Sequence, residues 1–72
     1  MNKRIVDLLL SAVDRSISHT ERVHVAVPDL DAAYMELATH PDLDDVDTAT
    51  ETDGSLDAWG TRDGQSWRLN LY

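Results

Sequence analysis

Apolar residues recur at helical spacing through the first seventeen positions. Ile5, Leu9, Ala12 and Val13 form a stripe that Val6, Leu10 and Ile17 widen, which predicts a helix over residues 3–17 with Asn2 as its N-cap. The arc is broad enough to lie flat on a sheet, leaving Asp7, Asp14 and Arg15 toward water. From Arg22 to Val27 the period drops to two, with Val23, Val25 and Val27 on one side and His24 and Ala26 on the other. That alternation marks a strand with a buried face. Pro28 stops it, Asp29 is placed to cap a second helix over about residues 30–39, and Pro41 ends that helix. Its apolar flank is Leu30, Ala33, Tyr34, Leu37 and Ala38. Strand, helix and next strand within some thirty residues suggest a βαβ-type crossover, the direction of the next strand being left open.

The last third is the most specific stretch. Asp63-Gly64 lies between two alternating runs and suits a two-residue type I′ hairpin. A turn there pairs Arg62 with Gln65, Gly60 with Trp67, Trp59 with Arg68, Ala58 with Leu69 and Leu56 with Leu71. One face then holds Leu56, Ala58, Gly60, Trp67, Leu69 and Leu71, with the large Trp67 ring across from a residue that has no side chain. The other holds Ser55, Asp57, Trp59 and Thr61 against Tyr72, Asn70, Arg68 and Ser66. A slip of one residue would scatter this separation, so the pattern fixes the register. The run Asp45 to Thr52 alternates as well. A three-residue loop with a glycine bulge at Gly54 turns Val46, Thr48 and Thr50 inward, whereas a two-residue loop would turn Glu51 inward, so the bulged loop is expected. The predicted fold is an α/β (α+β) two-layer sandwich in the order α-β-α-β-β-β. A three-strand antiparallel meander ends the chain, and two helices cover one sheet face.

Seventy-two residues leave room for one small domain over 1–72. Fourteen acidic against six basic residues, a formal net charge of −8, argue against direct binding to nucleic acid or anionic lipid. There is no cysteine, hence no disulfide and no thiolate metal site. Asp7 interrupts the apolar run behind Lys3 and Arg4, no cleavage site follows, and nothing approaches a membrane span, so a soluble cytoplasmic protein is expected.

Combining charge with strand parity places Asp45, Asp47, Glu51 and Asp57 on the helix-free face, with Asp42 and Asp44 just before it. Trp59, Arg68 and Tyr72 lie among them. Aromatic and arginine side chains anchor interfaces, and acid at this density can occupy a surface built for phosphates. The expected partner-binding residues are therefore Asp45, Asp47, Glu51, Asp57, Trp59 and Arg68, offered to a protein with a basic surface. A plain cross-strand contact between Trp59 and Arg68 on a solvated face is the competing reading. Another lies in the type of acid: eleven of the fourteen are Asp, five of the six bases are Arg, and six Thr are present. That bias resembles salt-adapted or high-GC proteins, in which surface acid serves solubility.

Asp42, Asp44, Asp45 and Asp47 alternate somewhat as calcium loops do, but Val46 and Asp47 break the EF-hand pattern. His19, His24 and His40 have no metal-ligand spacing, and no cofactor is expected. Catalysis lacks a nucleophile elbow and a phosphate loop, and Ser16 and Ser18 near His19 cannot share a face with it as a triad needs. The protein is expected to be no enzyme. In length, charge, absence of cysteine and a stand-alone chain from Met1 to Tyr72, it resembles in class the small acidic α/β proteins that phages use against host defences, anti-CRISPR proteins among them. That resemblance implies blocking of a nucleic-acid-binding surface or holding a nuclease complex inactive, and carries no residue correspondence. The alternatives are a structural or oligomerising accessory domain, monomer or homodimer, whose acid is salt adaptation, and an antitoxin or immunity protein.

Overall fold

The structure, a computed structural model, describes residues 3–72, so the proposed N-cap Asn2 lies outside the described residues. The elements follow the expected order: α1 (Lys3–His19), β1 (Arg22–Val25), α2 (Leu30–Thr39), β2 (Asp44–Thr50), β3 (Leu56–Arg62) and β4 (Gln65–Leu71). One mixed sheet carries all four strands in the order β1-β4-β3-β2. β2, β3 and β4 form the antiparallel meander, and β1 adds to β4 in parallel. β1 and β2 therefore run the same way at opposite edges, and the chain through α2 crosses the whole sheet between them. Among the described residues no helix is long and apolar enough to cross a membrane.

Period decides what is buried. Leu9, Ala12 and Val13 of α1 and Ala33 and Leu37 of α2 meet Val25, Ala58, Trp67, Leu69 and Leu71 of the sheet in one core, closed at the side by Leu43. The α2 stripe is narrower than its spacing suggests: Tyr34 and Ala38 are exposed, because this helix sits over the β2 side and touches the core along Ala33 and Leu37. Asp29 caps it as expected, its side chain accepting from the amides of Asp31 and Ala32. β1 is shorter than its valine alternation, yet its ladder continues: Tyr72 N–H donates to the Val25 carbonyl and Val27 N–H to the Tyr72 carbonyl.

The end of α1 holds a strained residue. Glu21 N–H donates to the Ser16 carbonyl, closing the helix in a Schellman turn that needs a left-handed residue at Thr20, whose φ is +53°. A β-branched side chain is costly there. Thr20→Gly is expected to stabilise the domain by about 0.5–1 kcal/mol after the extra chain entropy of glycine is deducted. Urea unfolding should show a higher midpoint with an unchanged slope, and a lower midpoint would contradict this account of the turn.

The hairpins set the geometry of the uncovered face. Asp63 and Gly64 both have positive φ, +52° and +79°, as a type I′ turn requires, and all five expected β3–β4 pairs are present. The β2–β3 loop is the bulged three-residue form: Gly54 N–H donates to the Glu51 carbonyl, Glu51 N–H to the Ser55 carbonyl, and Gly54 has φ +89°. Sequence parity did not foresee a second bulge, between Asp44 and Asp47, where Asp45 takes φ +54°. Gly60 lies beneath this bulge, between the Asp44 carbonyl and the Trp67 ring.

Candidate protein interface

The sheet face opposite the helices is bare, and its register arranges side chains in rows across the strands. Arg22, Arg68, Trp59 and Asp47 form one row, from β1 through β4 and β3 to β2. His24, Asn70, Asp57 and Ala49 form the next. Asp44 lies opposite Thr61 beyond the first row, and Glu51 follows the end of β2. Trp59 and Tyr72 are the large rings on this side, 37% and 57% exposed.

Of the six expected contact residues, Asp47, Trp59 and Arg68 are brought together in one row. Asp45 is not in the outward alternation: the bulge absorbs it, and Asp44 stands in line in its place. Asp57 is on the face but engaged, its side chain only 14% exposed. It accepts from Asn70 Nδ2 at 2.9 Å and pairs with Arg22 at 3.5 Å. Glu51 stands against Asp57 at the loop end.

Asn70 is the centre of a network that residue type alone does not announce. It is 8% exposed and its amide is used in full. Nδ2 donates to Asp57 and to Ser55 Oγ, which in turn donates to Asp53 at 2.6 Å. The amide oxygen is left to accept from His24 Nδ1, 3.2 Å away. His24 Nδ1 is therefore the donor in this contact. Strand parity had placed Asn70 and His24 on the outer sides of their strands. What it lacked was the neighbour relation of β1 and β4, which makes them partners.

These contacts shift three carboxyls. The Asp57 carboxyl beside it, by accepting its proton in a hydrogen bond and by like-charge repulsion, raises the pKa of Glu51 above the ordinary 4.5. The Asn70 amide chiefly holds Asp57 below 3.8, and the Ser55 hydroxyl and amide hold Asp53 below it too. Folded Glu51 binds its proton more tightly than the unfolded chain, so its contribution is full below pH 4.5 and is lost as pH rises through its raised value. Asp53 and Asp57 contribute above 3.8 and lose it as pH falls through their lowered values. Their joint effect is a shallow stability maximum near pH 4, between those ordinary values. Melting followed by circular dichroism from pH 3 to 7 should show a decline above pH 4.5 that Glu51→Gln flattens; an equal decline in that variant would remove Glu51 as its source.

His40 uses Nδ1 to accept from the Asp42 amide, a structural role. No group of three His, Cys, Asp or Glu side chains converges among the described residues in a way that could hold a metal ion. Ser16, weighed above only as a nucleophile, is buried, accepts from the Arg68 amide at 2.8 Å and donates to the Glu21 carbonyl, tying α1 to β4 where β1 has not yet begun.

No protein-family model matches the chain, and neither a curated protein nor a solved structure is significantly similar to it.

Proposed function

We propose that the protein is a non-catalytic inhibitor that docks its bare sheet face on a basic protein surface of the kind that holds nucleic acid. The observation that carries this reading is the row in which exposed Trp59 stands beside Asp47, with Asp44 and Glu51 along the same β2 edge. An aromatic anchor flanked by carboxylates supplies both the buried contact and the charge that an arginine-rich surface requires. Three acids, Asp44, Asp47 and Glu51, along one sheet edge give it the negative sign of a phosphate backbone. Its class likeness to phage anti-defence proteins agrees with such a role.

The test uses an oligo-arginine peptide titrated into the isotope-labelled protein at 0.15 M salt. The amides of β2 and the Trp59 indole should shift, and Asp44→Lys with Asp47→Lys should weaken binding about tenfold or more while the fold persists. Asp7→Lys with Asp31→Lys, exposed on the two helices and equal in change of charge, serves as the control and should leave binding unchanged. Equal loss in both variants would reduce the effect to overall charge and sink the reading. A second reading, an accessory domain whose acid keeps it soluble in salt, draws on the acids that lie off this face: Asp29, Asp31, Asp42 and Asp63 are all exposed. Binding indifferent to Asp44 and Asp47 is the result it requires.

A further inference from the structure

The bare face is not uniformly acidic. Its β2 side carries Asp44, Asp47 and Glu51, and its β1 side carries Arg22, Arg68 and His24, with Trp59 between them. Arg22 and Arg68 are direct neighbours in the parallel register, a like-charge pairing that costs stability. Arg22 reaches only Asp57, at 3.5 Å, an acid already taken by Asn70, and among the described residues Arg68 forms no ion pair. Opposite charge for this pair exists at the same level of the same face, at Asp47, but two and three strands away. At about 4.8 Å per strand that is roughly 10–14 Å, beyond reach within one molecule.

A second copy supplies it. We propose that the face is self-complementary and pairs with the same face of another copy about a two-fold axis parallel to the strands. Such an axis keeps the level along the strands and reverses their order, so β1 of one copy lies over β2 of the other and β4 over β3. Arg22 then meets Asp47 of the second copy, and Arg68 meets Trp59, each contact occurring twice. At the next level Asn70 lies over Asp57 and His24 over Ala49, and near the loop Glu51 lies toward Ala26. No carboxylate is set over a carboxylate. A two-fold axis perpendicular to the strands would instead stack acid edge on acid edge and arginine on arginine, so charge alone selects between the two arrangements. The twist of the sheets tilts the levels by about 30° and leaves the pairing order intact.

This goes beyond the reading of an inhibitor for a basic partner and competes with it, because the dimer covers Trp59. Four short strands bury a small area, so the association belongs to the weak class, with a dissociation constant of roughly 0.1–1 mM. Sedimentation of the protein at 0.15 M salt up to about 1 mM tests it, together with Arg22→Asp and Asp47→Arg. Each variant sets like charges together twice in its own dimer and should self-associate about tenfold or more weakly than the parent protein. Mixed in equal amounts, the two variants set the introduced aspartate of one over the introduced arginine of the other, and the retained Asp47 over the retained Arg22, so association should return. Parent protein that stays monomeric to 1 mM, or a mixture no better than either variant alone, overturns the proposal. Should Arg22→Asp fail to fold without its Asp57 contact, the parent protein still decides: on concentration its Trp59 indole N–H resonance should move and that of buried Trp67 should not. Oligo-arginine binding is measured separately on dilute monomer, so failure of one association leaves the other standing.

Discussion

Trp67→Ala is expected to leave the domain largely unfolded at 25 °C, whereas Trp67→Phe should remain folded. Trp67 is the largest fully buried side chain, 1% exposed, and packs where Gly60 leaves it room. Removing such a ring costs about 3–5 kcal/mol, most of what holds a domain of this size together. Its indole Nε1–H has no hydrogen-bond partner among the described residues, and a buried donor in that state forfeits about 1–3 kcal/mol. Phenylalanine keeps much of the packing and removes that donor, so the two losses offset and the net change should stay within about 1–2 kcal/mol. Gly60→Ala probes the same contact from the other side. Its new Cβ would lie 2.8 Å from the Asp44 carbonyl oxygen and 2.9 Å from Trp67 Cζ2, and with backbone on one side and a locked ring on the other it should cost about 1–3 kcal/mol. Urea unfolding of the three variants gives the order directly. A Trp67→Phe loss as large as that of Trp67→Ala would mean the ring fills its site through its indole edge, and the account of the unpaired donor would be wrong.

Asn70→Asp should be the most damaging change on the bare face despite its equal size. The Nδ2 amino group, with both its hydrogens, would be exchanged for one carboxylate oxygen facing Asp57 and Ser55, so two donated hydrogen bonds are lost and two negative groups abut where Asp57 is already mostly covered. The expected cost is about 2–4 kcal/mol at pH 7. Repulsion raises the new carboxyl's pKa in the folded state, so the protein regains stability as pH falls and that group takes up its proton. Comparison of urea midpoints at pH 7 and pH 4.5 checks both parts. Equal stability of variant and parent at pH 7 would show that the network does not support the sheet.

The elements that could be read from sequence are those whose local chemistry admits one solution. Asp63-Gly64 fixes a turn with two left-handed residues, and the turn fixes every partner between Leu56 and Leu71. Gly54 does the same for the loop before it, since burying Glu51 was the alternative. The bulge at Asp45 had no such signal, because an aspartate in left-handed conformation reads like any other in an acidic run. Its effect was to exchange Asp45 for Asp44 on the bare face, opposite Thr61 and next to the row that holds Trp59 and Asp47. The position of β1 was equally hidden: four residues with alternating valines state which side is buried but not which strand they join. That one missing neighbour accounts for the rest. Without β1 beside β4, Arg22 and His24 were absent from the face, the partners of Asp57 were out of sight, and Arg68 was the one base read among the acids.

The parallel join of β1 to β4 also orders events in time. The two hairpins of the meander link residues close in the chain, and such units form within microseconds. Val23 must instead find Leu69, a separation of 46 residues, which places this pairing among the slow, late steps and makes its loss an early step of opening. Hydrogen exchange should therefore be fastest in β1 among the strands. When β1 detaches, it takes Arg22 and His24 with it, while Asp44, Asp47 and Trp59 stay on the meander. The briefly opened molecule is thus the more purely acidic one, and a strongly basic partner would draw it from the ensemble by binding it.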